Sequence, residues 1–418
     1  MNRLPQKLII TGLYVLILAG PLLGLAAKGF APMLAIAGTL ALLGLLIEKE
    51  RLKSVDWKLY WPAALFLAYA FLSCFWSIGT GAFKSFSVML SVLVFTFSLW
   101  QAFLTLPEEK QVAFKSRLSI SLLFGIVCAL AVGSYPLTYP ELPSLTEKWS
   151  RNVDFGNLQL IRQGNRSLSL MPVFLVLFAG FFWKKSKLLV IVLFGTAFFV
   201  TYHSNSQTAL LGMLMAVFFF IAAYFPTKKK RYWLLAAAII GTIFSPYVFS
   251  KSFKNEWVEK YAPKIVTQKA SGRDRQFIYY VFAEDLFERP IFGHGVKSSH
   301  SYRPDKFDDY FKLASERKLS LSHSLMRRNG DIQAHPHNFP LQILFEFGYL
   351  GVSLLFLALF SIKKLAYAPD HKPIISAALG ASISLMLFAH SFWQSWLLAA
   401  VGFAFIYSQI LYSSKKTI

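Results

Sequence analysis

Apolar residues run in long blocks along this chain, and polar residues gather at the joints between them. Twelve blocks lie near the length of about 20 residues that a helix needs to cross a bilayer. They are 8–27, 29–47, 59–76, 85–106, 118–135, 166–183, 188–203, 208–225, 232–250, 341–362, 373–392 and 395–413. The first is long for a signal peptide and eleven others follow it, so it reads as a retained helix. The segment 251–340, between blocks nine and ten, breaks the pattern. Inside it, 273–288 spaces Phe277, Ile278, Val281, Phe282 and Leu286 at helical intervals. Residues 304–318 do the same with Phe307, Tyr310, Phe311 and Ala314, opposite a charged face. The pattern predicts an all-α polytopic membrane protein of about twelve transmembrane helices. Residues 1–250 carry helices one to nine, 251–340 form a large loop with amphipathic helices lying on the outer membrane surface, and 341–418 carry helices ten to twelve. A second outer loop, 136–165, is rich in proline (Pro136, Pro140, Pro143). No internal repeat is strong enough to argue an inverted-repeat transporter.

Composition narrows the class. Hydrophobic residues make up 55% of the 418 and charged residues only 15%, against about 25% charged in an ordinary soluble chain. A disordered chain is excluded, because it needs low hydrophobicity. A soluble enzyme would have too little polar cover, and a small basic nucleic-acid binder could not spare so much apolar content. The net charge of +22 is mostly a matter of threading. With the N-terminus inside, the inner segments hold 21 Lys and Arg, and the short outer segments hold six: Lys28, Lys84, Lys148, Arg151, Arg162 and Arg166. That bias sets both termini on the cytoplasmic side. The other 16 basic residues lie in 251–340, where 11 acidic residues oppose them. Cys74 and Cys128 both sit in apolar runs, so a disulfide is not expected, and no Cys-x-x-Cys spacing is present.

The candidate chemistry lies at the outer face. Five of the eight histidines fall in the large loop, and His335-Pro336-His337-Asn338 stands where that loop re-enters the membrane. Two readings are open for His337: it caps the next helix, or its neutral imidazole accepts a proton from a hydroxyl. A zinc pair of His335 and His337 has no evident third ligand. Glu346 lies nine residues further on, inside a span, where a carboxylate is costly and faces a partner in the bundle interior. It is either a structural hydrogen-bonded group or a catalytic one; one role joining both is to hold the loop or helix that presents His337. Arg273 and Arg275 open the amphipathic helix 273–288, Arg162 and Arg166 sit at the mouth of span six, and Arg289 precedes a turn-rich stretch. Guanidinium groups fit phosphate oxygens in two-point contacts, and the helix start near Arg273 offers free N–H groups to an anion. The same arginines could instead bind lipid head groups, or pair with Asp274, Asp285 and Glu288. Asp305, Asp308 and Asp309 fit a solvated helix face better than a metal site. Polar ends at 203–207 and at His390, Ser391 and Gln394 could line a crevice or satisfy helix termini.

Several short motifs stand in a telling order. His337-Asn338-x-x-Leu341-x-x-x-x-Glu346-x-Gly348, followed by Gly351, resembles the signature of the O-antigen ligase and polymerase superfamily. Upstream, Gly272-Arg273-x-x-x-Phe277 resembles its Gly-Arg-x-x-x-Trp element, with Phe in the Trp place. Pro290-Ile291-Phe292-Gly293-His294-Gly295 resembles its Pro-x-x-Gly-x-Gly turn. Ser206-Gln207-Thr208-Ala209 is similar to a Ser-Arg-x-Ala element; Gln207 replaces the arginine there, and Arg166 or Arg162 would supply the charge. The motifs cover about 80 residues, and the topology covers the whole chain.

The resemblance implies a GT-C-like glycosyltransferase of the bacterial inner membrane, with its active site on the periplasmic side. Its donor would be a glycan on undecaprenyl diphosphate, and its acceptor, for a ligase, a sugar hydroxyl of lipid A–core. No metal, other cofactor or nucleic acid is implied; membrane lipids are. His337 would be the general base and Arg273 would stabilise the departing diphosphate. Arg162, Arg166, Arg275, Arg289, Asn338 and Gln207 would bind substrate, with Glu346 and His335 in support. An O-antigen polymerase and a protein O-oligosaccharyltransferase use the same donor and remain alternatives. A transporter of lipid-linked glycans would need ionisable groups through the depth of the bilayer, whereas here they cluster outside.

Overall fold

The computed structural model describes residues 3–48, 60–138, 155–204, 206–224, 228–261, 270–300, 302, 304–316, 336–362, 372–388 and 391–412. Its regular structure is helical, with no strand among the described residues. The first part contains α1 (Arg3–Leu18), α2 (Leu22–Leu25), α3 (Phe30–Ile47), α4 (Trp61–Ser73), α5 (Ala82–Leu104) and α6 (Glu108–Thr138). Next come α7 (Phe155–Phe182), α8 (Lys187–His203), α9 (Gln207–Tyr224), α10 (Lys228–Lys254) and α11 (Trp257–Tyr261). Then follow α12 (Ala270–Leu286), α13 (Phe307–Glu316), α14 (Phe339–Ile362), α15 (Lys372–Phe388) and α16 (Ser395–Tyr412).

Local sequence explains many of the ends. Pro62 starts α4 where its missing N–H costs nothing. Glu108 and Glu109 complement the dipole at the start of α6. The Ser186 side chain accepts from the Leu189 N–H and caps α8. Gly81, at φ 75°, turns the chain into α5.

Each of the twelve predicted blocks coincides with helix, although the first is broken after Leu18 and both α6 and α7 begin about ten residues before their blocks. Among the described residues, six stretches are long and apolar enough to cross a membrane: Ala27–Ile47, Ala82–Leu104, Glu108–Tyr135, Gln163–Phe182, Phe339–Leu359 and Ser395–Tyr412. Shorter apolar helices run over Leu4–Leu18, Trp61–Ser73, Lys187–His203, Thr208–Ala223 and Pro373–Leu385. Large exposed apolar side chains such as Leu188, Ile191 and Phe199 on α8 fit a surface that meets lipid. The molecule is thus a multi-pass helical membrane protein.

The helices share two apolar cores. The larger is built from α1–α3, α5–α9, α15 and α16 around Phe103, Phe174, Phe178, Phe403 and Tyr407. The smaller joins α4 and the start of α5 to α12, α13 and α14 around Phe277, Phe282, Phe345 and Phe347. Both amphipathic helices foreseen in the large loop are present and turn their apolar faces inward: Phe277, Val281, Phe282 and Leu286 of α12, and Tyr310 and Ala314 of α13, are buried. Asp308 and Asp309 lie on the exposed side of α13. The smaller core therefore ties the loop helices onto the membrane helix α14, and the polar site is built there.

Candidate functional site

The sequence reads 341–362 as one continuous span, but α14 is broken at Gly348, whose φ of 62° and ψ of −173° no helix contains. A break in a helix leaves backbone groups without partners. Here the turn 290–295 supplies them. The N–H groups of His294 and Gly295 donate to the carbonyls of Phe345 and Glu346 at 2.9 and 2.8 Å. Past the break, the N–H groups of Tyr349 and Leu350 donate to the carbonyls of Pro290 and Ile291 at 2.8 and 3.1 Å. Glycine is required on both sides: a Cβ on Gly293 would meet the Glu346 carbonyl oxygen at 2.5 Å, and one on Gly348 would meet the Ile291 oxygen at 2.3 Å. Two motifs read separately from the sequence are therefore halves of one clasp.

Glu346 points into this clasp and is fully buried. Its Oε1 accepts from the Ser299 hydroxyl and from Gln342 Nε2 (3.0 Å). Its Oε2 accepts from the Lys297 N–H (3.1 Å) and from Trp393 Nε1 (2.6 Å). One carboxyl group thus joins the segment 297–299, the membrane helix α14 and the 391–394 turn between α15 and α16. Gln342 extends the network, since its Oε1 accepts from the Phe392 N–H at 3.3 Å.

His337 stands at the start of α14 with a left-handed backbone, φ 47°. The Tyr279 hydroxyl of α12 donates to its carbonyl at 3.4 Å. Burial pushes that phenol up, while the charge of Arg275 one turn away and a hydrogen bond with Asn338 pull it back. Asn338 is the cap of α14: its Oδ1 accepts from the Leu341 N–H at 3.1 Å. The cap reading thus applies to Asn338, and His337 stands beside it.

Beneath α12 lies a second polar cluster. Asp285 is buried, and its Oδ1 accepts from the Tyr310 hydroxyl at 2.6 Å. Burial raises its carboxyl to about 6 against the pull of Tyr310 and Tyr302. The Asp285 carbonyl can only accept, so the His294 Nε2 lying 3.0 Å away donates to it. Burial holds the His294 imidazole below its ordinary range, and the ring stacks on Phe345 with centroids 4.3 Å apart. Two of the acidic partners suggested for the arginines are engaged otherwise: Asp285 with Tyr310, and Glu288 with Lys306 at 2.9 Å; the neighbouring Glu284 pairs with Lys254 at 2.9 Å.

The structure brings Arg275, His337, Asn338 and Glu346 to α12 and α14 in the smaller core. Arg289 is exposed at the rim of a cavity of about 660 Å³, whose wall includes Tyr69, Leu72, Trp76, Ile291, Phe292 and Leu350. Arg273 lies in the first turn of α12, which begins three residues earlier than its spacing suggests. Arg166 and Gln207 belong to the larger core's helices, where the Ser206 hydroxyl donates to Asn165 Oδ1 at 2.9 Å and joins the start of α9 to α7. The side chains of Arg162, Gln207 and Arg273, and the whole of His335, lie outside the described residues. Sequence reasoning missed Tyr279, Trp393, Ser299 and Tyr69. For Trp393 a signal existed, because it sits in the polar 390–394 stretch.

A helical membrane protein with a polar hub, where the segment 290–299 grips a broken span, is the class these features define. Comparison with known proteins is specific to the same region. A family model described as O-antigen ligase matches residues 189–356, which include the turn, Glu346 and His337. A protein of Rickettsia conorii named as a polysaccharide ligase is 24% identical over 165 residues, 38% of this chain and 35% of that protein. Its counterpart in Rickettsia typhi is 24% identical over 161 residues, 38% of this chain and 36% of that protein. The matched stretch spans about a third of these relatives' length. No solved structure matches the chain. The resemblance read from the motifs thus holds over the O-antigen ligase stretch.

Proposed function

We propose that this protein is an O-antigen ligase of the bacterial inner membrane. It moves a glycan from undecaprenyl diphosphate to a sugar hydroxyl of lipid A–core on the periplasmic side, with inversion at the anomeric carbon. A topology of twelve spans with both termini cytoplasmic, as the hydropathy and charge pattern favour, would put His337 at that face. The observation that carries the reading is the coincidence of the family match with a built polar site: His337, Tyr279 and Arg275 fall where α12 meets α14, and Glu346 lies further along α14, bound to the segment 297–299.

In this reading His337 takes the proton of the acceptor hydroxyl as its oxygen attacks the anomeric carbon. The bond from that carbon to the diphosphate oxygen breaks, and the lipid diphosphate leaves. Arg273 stabilises the charge that develops on it, with Arg275 and Arg166 as helpers, and Arg162, Gln207 and Asn338 complete the binding surface. The apolar cavity with Arg289 at its rim fits a lipid donor that approaches from the membrane. Glu346 holds the frame, and His335 supports His337 from the preceding loop.

The test is transfer by purified protein from undecaprenyl-diphosphate glycan to lipid A–core, to a second donor molecule, or to a peptide. Product with lipid A–core alone is expected, as is its loss in His337→Ala at normal protein levels. Product only with a second donor or only with a peptide would replace the ligase by a polymerase or a protein glycosyltransferase. Full transfer by His337→Ala would overturn the base assignment, and donor affinity unchanged in Arg273→Ala would remove that arginine from the site.

A further inference from the structure

The turn 290–295 partners four backbone groups of α14 around Gly348, and the Phe347 carbonyl stands next to that break. A buried carbonyl there needs a donor to serve it. The hydroxyl of Tyr69, from α4, does: it lies 2.9 Å from the Phe347 carbonyl and 2.8 Å from the Phe292 carbonyl. One O–H proton is therefore shared between the two halves of the clasp, and a third helix holds them together. The ring is buried and fitted as closely as the hydroxyl. It packs on Phe347 and Trp76, and a Cβ on Gly351 would come within 2.8 Å of its Cε1. Tyr69 also forms part of the wall of the cavity beside Arg289.

We propose that Tyr69 is a positioning residue of this site. Its hydroxyl sets the angle between the two halves of α14, and so the place of the segment 339–347 that carries Glu346 and begins beside His337. It touches neither His337 nor any reacting atom. The inference rests on the reading of His337 above, and Tyr69→Phe tests it by removing one oxygen while keeping the ring.

Two measurements on the full chain in lipid nanodiscs decide the matter. In hydrogen exchange, the amides of 293–295 and 345–351 should exchange about five to ten times faster in Tyr69→Phe, with the other helices unchanged. In the transfer assay, kcat should fall by a similar factor while KM for donor and acceptor stays fixed, because the ring that lines the cavity is kept and only the hydroxyl that frames the reacting groups is lost. Unchanged exchange would overturn the proposal, as would faster exchange with unchanged kcat. Exchange raised throughout α4, or a loss confined to KM, would also overturn it by showing a general packing role. If the wild-type protein transfers to no acceptor, the functional reading fails by itself, and the exchange measurement alone decides whether Tyr69 sets α14.

Discussion

A methyl group placed on Gly348 would strike the clasp at its centre. At φ 62° and ψ −173° an alanine sits in a region that costs about 1–3 kcal/mol in backbone strain. Its Cβ would also stand 2.3 Å from the Ile291 oxygen, 2.5 Å from the Ile291 carbonyl carbon and 2.7 Å from the Gly293 nitrogen. All three are backbone atoms, so the turn must move away. Four backbone hydrogen bonds hold it in place, each worth about 1 kcal/mol net. With half of them lost, Gly348→Ala should cost roughly 3–5 kcal/mol. The control is Gly195→Ala, in the interior of α8, where a Cβ meets nothing within 4 Å. There the change should be neutral or stabilising by up to about 1 kcal/mol. Reversible unfolding in mixed micelles, followed by circular dichroism, compares the two. A Gly348→Ala protein within about 0.5 kcal/mol of wild type would refute the reasoning, because it would mean that α14 can straighten without loss.

Two further outcomes follow from the polar clusters. Trp393→Phe removes the indole N–H that reaches Glu346 at 2.6 Å and should cost about 1–3 kcal/mol in the same unfolding assay; a neutral result would mean that the hub does not need its fourth donor. Asp285 has a folded-state value of about 6, raised from 3.8 by burial, so the folded protein binds that proton more tightly than the unfolded chain. Its carboxyl therefore favours folding most below about pH 4, and that advantage drains away as pH rises through 6, by on the order of 2–3 kcal/mol. Asp285→Asn should lose this dependence, so its stability should gain on wild type between pH 4 and 7; a pH-independent difference between the two would count against the buried-acid picture.

What could be read in the sequence followed from how locally each feature is encoded. The helices were legible because hydropathy over about 20 residues is a local property, and the loop helices because Phe277, Val281 and Tyr310, Ala314 keep helical spacing. Gly293, Gly295 and Gly348 were legible as motif positions, and each has a positive φ that explains its glycine. Their pairing was hidden, because a backbone contact between a turn and a helix leaves no periodic trace. Tyr69 was hidden for another reason: one aromatic in the apolar run of α4 looks the same whether it meets lipid or a carbonyl. Asp285 looked like a partner for the outer arginines, since sequence spacing cannot show that Tyr302 and Tyr310 enclose it. The charged motif positions were placed in part, with Arg275 and Arg289 near α14 and Arg166 in the other core.

The break in α14 also bears on how the protein is made. A half-helix that enters lipid with open carbonyls and N–H groups pays several kcal/mol for each. Its backbone partners in the turn lie on its N-terminal side, at residues 290–295. A ribosome therefore releases the turn first, so the clasp can be waiting when the broken helix arrives. Order of synthesis, as much as final packing, lets a span with a gap in its backbone ladder enter the membrane.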